Sequence, residues 1–469
     1  MEFIETERGG RKLLRDGYLY VFKKNLANDI TSWECVLRRQ GQCRASIKLD
    51  AQENFVEEVN DHTHPPSRTE CDLVKTKASL KRRATETLDS SRQILSNQLT
   101  NISDGVAIQL PSLGNISRTI RRQRQERNAH PNPPSREAIP ILPLEFQQTD
   151  NGEEFLFYDS GVGQENRMLL FASPIAKEYL RSSSHWFGDG TFKVCPSIFF
   201  QLYTIHALCD GTTLPCIYCL LPNKTEETYN VMWREVMNFV QHQPDDILTD
   251  FELASINGAA QIIPDIVLKG CFFHLTRNFW KKIQEFGLKE RYINEEEFST
   301  TLRMVLAISF VPPDDVIVFF EELSDVIRDR FGIACDEILE YFEDNYIGRF
   351  RRNAQRAHPR FGIDLWNMFH RTADELPRTN NCLEGWHRGF QATVASCHPL
   401  FWKFVGLLKK EEGLNRVKML QALGGHQPPQ QRRRYADSNQ RLIRLVDSFP
   451  NYEHMRYLRA VAHNLGGMG

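Results

Sequence analysis

The stretch His185-Trp-Phe-Gly-Asp-Gly-Thr-Phe-Lys-Val194 decides how the larger part of this 469-residue chain folds. It has the apolar character of a buried strand, yet Asp189 lies inside it between two glycines. A carboxylate within a buried strand costs free energy unless it binds a partner, such as a cation. We therefore predict that Asp189 belongs to a functional site on a β-sheet.

Further strand patterns surround this stretch on both sides. The apolar runs are 154–158, 168–172, 186–194, 198–207 and 214–221, followed by a helical pattern at 226–242 and two short runs, 247–250 and 267–273, each leading into a helix. Strands that give way to alternating helices and strands predict an α/β core. From residue 275 to about 410 the pattern is almost wholly helical.

Two more acids stand where such a core gathers functional groups. Asp250 ends the run 247–250, and the carboxyl ends of strands in α/β proteins are where ligand-binding groups collect. Glu384 lies in a helical segment that brings it close to His387 and Arg388 on one helix face. Taken singly, each acid is explained more simply as a turn former or a helix cap than as a functional group. Together, three carboxylates can hold two Mg²⁺ or Mn²⁺ ions about 4 Å apart, the arrangement that cleaves phosphodiesters.

Several other residue types near these acids allow two interpretations. Cys271 and His274 supply half of a zinc site, or a buried thiol and a histidine bonded to a backbone carbonyl. Cys216 and Cys219 have the spacing of a redox or zinc pair, but they lie in an apolar strand and are predicted to be core residues. Trp386 either packs in the core or stacks on an extruded base.

The N-terminal part has a different texture. Short strand patterns at 17–22, 32–37, 45–49 and 55–59 predict a small antiparallel sheet. Cys35, Cys43, His62 and His64 supply two thiolates and two imidazoles, the set that a tetrahedral structural zinc ion accepts. A sheet of this size buries little apolar surface, so we expect the metal and the fold to form together. The alternative is that the four residues fall in this order by chance.

These residues resemble the FLYWCH zinc finger family over roughly residues 3–65. The resemblance rests on Leu14, Tyr18, Tyr20 and Trp33 together with the four metal ligands. It implies a zinc-stabilised sheet that lays a strand edge in the major groove of DNA. Residues that would then meet phosphates are Arg38, Arg39, Arg44 and Lys48, although all four also fit ordinary solvated positions.

A basic connector, residues 72–135, follows this module. The whole chain has a formal net charge of −2, but residues 75–127 contain eleven basic and four acidic residues, which gives 11 − 4 = +7. The pattern is helical and ends in the proline-rich stretch 130–136, which marks a domain boundary. We expect this connector to contact DNA through Lys81, Arg82, Arg83, Arg121, Arg122 and Arg124.

The larger part resembles the Mutator-like (MULE) transposase domain. The motifs that carry the resemblance are Asp189-Gly-Thr-Phe, Thr249-Asp250, Cys271-x-x-His274, a long helical segment, and Asn380-Asn-x-x-Glu384. The resemblance implies a catalytic triad of Asp189, Asp250 and Glu384, with Cys271, His274 and His387 beside the active site. The resemblance spans about residues 185–410 and implies an RNase H-like core, which we place in a domain of residues 140–410 with a helical insertion at 280–380. The pattern of residues 411–469 predicts a helical tail.

Composition narrows the cellular setting. The chain starts without a basic segment and a long apolar run, so neither a signal peptide nor a membrane span is expected. Eleven cysteines without an export signal indicate reduced thiols or zinc ligands. We expect synthesis in the cytoplasm, residence in the nucleus, and no small-molecule substrate.

These features predict a Mutator-like transposase that binds double-stranded transposon ends and target DNA as an assembly of at least two subunits. One alternative is a domesticated, transposase-derived regulator that binds DNA without nuclease activity. Another is a nuclease or resolvase on the same core that does not transpose.

Overall fold

The computed structural model describes residues 1–5, 10–87, 89–127, 130–351, 355–426 and 433–465, with the side chains of 39, 40, 125–127 and 433–435 also outside the description. The chain divides into two compact units, residues 1–131 and 132–469. Each unit carries its own sheet and its own helices.

The first unit begins with an antiparallel sheet of six strands in sequential order. The strands are β1 (Glu2–Glu5), β2 (Arg11–Arg15), β3 (Tyr18–Asn25), β4 (Thr31–Cys35), β5 (Ser46–Leu49) and β6 (Phe55–Val59). The last four confirm the predicted strands, except that Val36 and Leu37 belong to a 3₁₀ turn rather than to β4. The first two were not predicted individually, because the adjacent apolar Leu13 and Leu14 of β2 face opposite sides of the sheet and hide the alternation.

Four helices complete the first unit. They are α1 (Arg68–Glu86), α2 (Ser91–Leu99), α3 (Asp104–Gln109) and α4 (Leu113–Arg127). α1 packs on the sheet, because Cys71 is buried in one apolar cluster with Ile4, Leu14 and Leu19. Leu80 and other residues of α1, α2 and α4 form a second cluster. The helices and the sheet of this unit are thus held by shared apolar contacts.

The second unit contains a mixed sheet of seven strands in the order β13-β12-β9-β10-β11-β8-β7. Its strands are β7 (Leu156–Asp159), β8 (Leu169–Phe171), β9 (His185–Thr191), β10 (Gln201–Cys209), β11 (Thr212–Leu221), β12 (Asp246–Thr249) and β13 (Val267–Gly270). β12 runs parallel to both β9 and β13, and the remaining pairs are antiparallel. The predicted α/β arrangement of this part is confirmed.

The helices of the second unit cover this sheet and extend beyond it. They are α5 (Leu144–Gln147), α6 (Pro174–Arg181), α7 (Glu226–Val240), α8 (Leu253–Ile262), α9 (Phe272–Glu285), α10 (Lys289–Asn294), α11 (Glu296–Ala307), α12 (Val316–Phe331), α13 (Asp336–Phe342), α14 (Ile363–Trp366), α15 (Phe369–Ala373), α16 (Asn381–Val394), α17 (Phe401–Leu423), α18 (Arg433–Asp447) and α19 (His454–Leu465). α6, α7 and α8 pack on one face of the sheet, whereas α16 and the first half of α17 pack on the other.

A large apolar cluster holds the helices of the 280–380 region together. It also contains Leu442 of α18 and Tyr457, Leu458 and Val461 of α19. The described C-terminal helices therefore share the core of this helical region. α17 runs without a break through residue 410, the position predicted as the boundary between the core domain and the helical tail.

A β-bulge explains the position of the two cysteines of β11. The pairing with β10 shifts between Ile205 and His206, so that Ile205 lies opposite Ile217 and His206 opposite Pro215. The shift leaves Cys216 as the extra residue, which turns Cys216 and Cys219 to the same side, where both are fully buried in one cluster. The prediction that both are core residues is confirmed. On a regular strand, residues three apart would point to opposite faces, but the bulge places these two on the same face.

Candidate functional sites

The four predicted zinc ligands come together in the first unit. Cys35 ends β4, Cys43 follows the 3₁₀ turn, and the two histidines lie just beyond the end of β6. Cys35 Sγ is 3.3 Å from His64 Nε2, Cys43 Sγ is 3.4 Å from His62 Nδ1, and these two ring nitrogens are 3.3 Å apart. All four ligand atoms lie within 4.8 Å of one another. Edges of about 3.3–3.8 Å follow from tetrahedral coordination at ordinary Zn–N and Zn–S lengths, so the set fits a zinc ion.

Neighbouring groups orient both imidazoles. Nε2 of His62 lies 2.8 Å from the Tyr20 hydroxyl, and Nδ1 of His64 lies 3.0 Å from the carbonyl oxygen of Pro65. With the proton of each ring on this outward nitrogen, Nδ1 of His62 and Nε2 of His64 would be free to bind a metal ion. Tyr18 stacks on the His62 ring at a centroid distance of 3.6 Å. The rings are therefore held in place by the sheet.

The environment of the two thiols differs. Burial raises the pKa of Cys35 to about 11. At Cys43, burial also acts to raise the pKa, but the backbone N–H groups of Thr63 and Ala45 outweigh it and lower the pKa to about 7. A thiol that loses its proton easily favours metal binding, because the thiolate is the ligand.

In the second unit, Asp189 lies near the end of β9 on the face that α16 covers. Its carboxylate accepts a hydrogen bond of 2.9 Å from the backbone N–H of Gly190. The flanking glycines point to the opposite face, where a Cβ on Gly188 would stand 2.2 Å from the Tyr203 hydroxyl and one on Gly190 2.6 Å from Gln201 Oε1. A side chain at either glycine would therefore have to displace a side chain of the adjacent strand β10.

Three other acids lie within electrostatic range of Asp189. Asp250 follows β12, the parallel neighbour of β9, and Glu384 lies in the first turn of α16. Burial, then the charge of Asp250, and also those of Glu384 and Glu252, raise the pKa of Asp189 to about 8 against the lowering effect of the Gly190 N–H. Burial likewise raises the pKa of Asp250. Among the described residues, only the four zinc ligands have ligand atoms close enough together to share a single ion. The carboxylate oxygens of these acids are therefore farther apart than the ligand atoms of the zinc site.

Glu252 was not among the predicted site residues. It stands two residues after Asp250, where α8 begins, and the hydroxyl of Tyr229 donates to it over 3.2 Å. Burial and the charge of Asp250 raise its pKa. The sequence signal that could have identified Glu252 is the pair of acids in Asp250-Phe-Glu252 just beyond a strand end. That Glu252 lies near Asp189, however, depends on β9 and β12 being neighbours in the sheet.

Cys271 and Asn380 connect the end of β13 to the start of α16. The Cys271 thiol donates to Asn380 Oδ1 over 2.9 Å, and the backbone N–H of Asn380 donates back to the sulfur over 3.3 Å. Nδ1 of His274 is buried and, within the part of the chain that the structure describes, has no hydrogen-bond partner. Burial lowers the pKa of His274, while the charge of Glu384 acts to raise it.

His387 lies directly beside Asp189. Its Nδ1 is 3.6 Å from the Asp189 carboxylate and its Nε2 is 3.4 Å from the Thr204 hydroxyl. Burial lowers the pKa of His387 to about 4, so the ring is neutral near pH 7. Trp386, by contrast, stacks on Phe390 and donates its indole N–H to Glu411 over 2.7 Å, so it packs, half-buried, against the core.

The predicted phosphate contacts on the zinc module take part in local interactions. Lys48 pairs with Glu57, and Arg38 lies 3.3 Å from Glu34 and donates to the carbonyl of Arg44. Arg44 is exposed. The side chain of Arg39 lies outside the described residues.

The predicted contacts on the helices differ in exposure. Arg82, Arg83, Arg121 and Arg122 are exposed and Lys81 is half-buried. Arg124 donates to the carbonyl of Ala84 over 2.9 Å and to that of Thr87 over 3.1 Å. Burial lowers its pKa. This engagement favours a structural role for Arg124 over phosphate binding, whereas the others remain predictions.

No helix in the described part of the chain combines the length and apolar character that crossing a membrane requires.

Comparison with known proteins identifies two segments. The family model of the FLYWCH zinc finger domain matches residues 3–64, and that of the MULE transposase domain matches residues 185–278. The second match includes Asp189, Asp250, Cys271 and His274 and ends before Glu384. No curated protein matches the chain significantly. The first match and the Cys₂His₂ geometry support a structural zinc ion. Together, the two matches indicate a transposase-related DNA-binding protein.

Proposed function

We propose that this protein is a Mutator-like DDE transposase. The zinc module and the basic helices bind double-stranded DNA at transposon ends, and Asp189, Asp250 and Glu384 form the catalytic triad for strand cleavage and transfer. The observation that carries the proposal is the convergence of acids around the buried Asp189, whose pKa Asp250 and Glu384 help to raise. Gathering like charges in one place is unfavourable unless a cation offsets them.

The donor set fits Mg²⁺ or Mn²⁺. Carboxylate oxygens are hard ligands, which these ions prefer, and a two-ion site spans more width than a single-ion site. Asp189, Asp250 and Glu384 would hold the ions, and His387, being neutral, would not compete with a cation for the Asp189 carboxylate. When bound, two such ions supply an activated water or 3′-hydroxyl and stabilise the leaving oxygen. Cys271 and Asn380 hold the start of α16, one turn before Glu384.

An RNase H-like core is part of the proposal. The sheet order supports it, since β11, β10 and β9 form an antiparallel meander and β12 and β13 extend it in parallel from β9. The helical region at 280–380 then separates β13 from α16 as an insertion.

Further parts of the proposal rest on what such a reaction requires. Joining two transposon ends requires at least two active sites, so we propose a homo-oligomer on DNA. Because the substrate would be chromosomal DNA, we propose that the protein acts in the nucleus.

The second candidate function is a domesticated regulator that binds DNA without cutting it. It is favoured by the match of the FLYWCH zinc finger domain to residues 3–64, because such a domain needs no catalytic acids to bind DNA. The presence of all three acids favours the transposase. A nuclease or resolvase on the same core would cut DNA without joining it to a target.

The decisive experiment compares wild type, Asp189→Asn and Asp245→Asn on a plasmid carrying the DNA that flanks the gene. Asp245 is exposed and precedes β12, whereas Asp250 follows that strand, so the control makes the same substitution outside the acid cluster. We expect Mg²⁺- or Mn²⁺-dependent cleavage and joining to a second plasmid by wild type and Asp245→Asn only.

DNA binding with no cleavage by any of the three proteins contradicts the proposal in favour of the regulator. Cleavage without joining favours the nuclease, and equal cleavage by Asp189→Asn excludes the triad.

A further inference from the structure

Helix α4 has one face committed to the core of the first unit. Ile116 and Ile120 are buried against Leu80 and Ile94. The guanidinium of Arg124 is bonded to two carbonyl groups at the end of α1. These contacts fix the rotation of α4 about its axis, and with it the set of side chains that faces solvent.

The outward face of α4 carries a stripe of polar side chains. Asn115, Arg118, Thr119 and Arg122 are all exposed and follow one another at positions i, i+3, i+4 and i+7, which places them in one row along the helix. Nη1 of Arg118 donates to Asn115 Oδ1 over 3.2 Å, so the two side chains point to the same place.

The chemistry of this stripe is that of base readout. Asn is the side chain that pairs bidentately with adenine, Arg is the one that pairs with guanine, and a Thr methyl group contacts the methyl group of thymine. Residues 113–127 contain five arginines and one glutamate, which gives 5 − 1 = +4. The net positive charge of α4 complements the phosphates beside a groove.

The way in which α4 is held by its neighbouring helices is compatible with base readout in DNA. Only three residues, 110–112, separate it from α3, as in helix-turn-helix modules. α3 lies close to α1, since a Cβ on Gly105 would stand 3.3 Å from Thr69 Cγ2. α1 in turn shares an apolar cluster with the zinc-bearing sheet. The described parts of unit 1 therefore present α4 on a firm support.

We propose that α4 is a recognition helix that enters the major groove of duplex DNA and reads base pairs through Asn115 and Arg118, with Thr119 beside them. The proposal rests on the DNA-binding part of the proposed function and is independent of cleavage. It assigns sequence readout to a helix outside the zinc finger segment, so the chain would read a composite site.

The test is selection of binding sites from a library of random DNA duplexes by the full-length, zinc-loaded chain without Mg²⁺ or Mn²⁺. The variant is Asn115→Ala/Arg118→Ala, and the matched control is Asn97→Ala/Arg92→Ala, which removes the same two residue types from exposed positions on α2. We expect wild type and control to enrich the same motif. We expect the variant to lose the preference at one contiguous block of base pairs, with roughly tenfold or more weaker binding to the selected duplex and little change on a scrambled duplex.

Three outcomes overturn the proposal. One is enrichment of the full motif by the Asn115→Ala/Arg118→Ala variant, and another is enrichment of no motif by wild type. The third is an equal loss of affinity for selected and scrambled duplexes, which shows phosphate contact alone. Circular dichroism and zinc content check that the variants fold, and because no cleavage is measured, an inactive acid cluster leaves the result intact.

Discussion

At the residue scale, Asp189 couples the stability of the second unit to pH. Its pKa is about 8 in the folded chain because of burial and the charge of Asp250, against about 4 for an unfolded aspartate. The unfolded chain therefore loses this proton first as the pH rises, and stability falls between roughly pH 4 and pH 8 in protein without Mg²⁺ or Mn²⁺.

The substitution Asp189→Asn removes this pH-dependent loss of stability. We expect the variant to be more stable than wild type by roughly 1–3 kcal/mol at pH 8 and equally stable near pH 4. Denaturant unfolding of the zinc-loaded protein at both pH values measures the difference, and Asp245→Asn is the control. A gain of the same size at pH 4 and pH 8 would contradict the assignment of the effect to ionisation.

Tyr20 allows a second test at this scale, because its hydroxyl contacts the outward nitrogen of His62. We expect Tyr20→Phe to weaken zinc binding by about 10- to 100-fold. Competition with a chelator measures this affinity. Tyr18→Phe is the control, since it keeps the ring that stacks on His62 and loses only a 3.3 Å contact to the carbonyl of His64. Equal zinc affinity in wild type and Tyr20→Phe would show that the contact does not support the ligand.

Single residues were predictable from sequence where their chemistry is local or follows a family order. The zinc ligands follow from spacing and residue type, and the structure brings all four together. Glu252 was missed because its relation to Asp189 arises from the pairing of β12 with β9, which the local pattern does not contain. The engagement of Arg124 was missed because a carbonyl acceptor 40 residues away leaves no trace in the sequence.

At the scale of elements, α19 shows how the C-terminal segment contributes to the second unit. It packs against α11, and Leu458 is fully buried in the shared cluster. We expect Leu458→Ala to destabilise the second unit by about 2–5 kcal/mol, because it leaves a cavity among packed helices. Leu414→Ala is the matched control, since Leu414 on α17 is 60% exposed. Thermal unfolding measures both variants, and similar melting temperatures for the two would argue against a packing role for α19.

Most strands and the helix α7 were predictable because their apolar periodicity or uniform burial is local. β1 and β2 were not resolved as elements, since both faces of that edge of the sheet are buried. The passage of α17 through residue 410 was also not apparent, because the family pattern ended there while the helix continued to pack against the sheet.

At the scale of the whole molecule, the two-unit division separates the zinc-ligand set from the acids that we propose to hold Mg²⁺ or Mn²⁺. The soft and borderline ligands of the zinc site all belong to residues 35–64, whereas the acids belong to residues 189–384. The order of the two units follows from sequence, because composition changes at the proline-rich stretch 130–136. The packing of the C-terminal helices against the 280–380 region could not be predicted from the sequence, because it depends on contacts between residues more than 100 positions apart in the chain.

This separation predicts that the two units respond differently to removal of zinc. One face of the sheet of the first unit buries a small cluster of five apolar residues, Leu13, Tyr20, Trp33, Ile47 and Leu49, and a second small cluster packs the sheet against α1, so we expect the sheet to depend on the metal. The second unit has its own large apolar clusters. We expect a zinc-selective chelator to abolish DNA binding and the near-ultraviolet signal of Trp33, measured as the difference from Trp33→Phe, while Mn²⁺ binding to the second unit persists. Loss of both metal activities on chelation would show that the second unit cannot fold without the first, whereas DNA binding that survives chelation would place the main contacts on the helices alone.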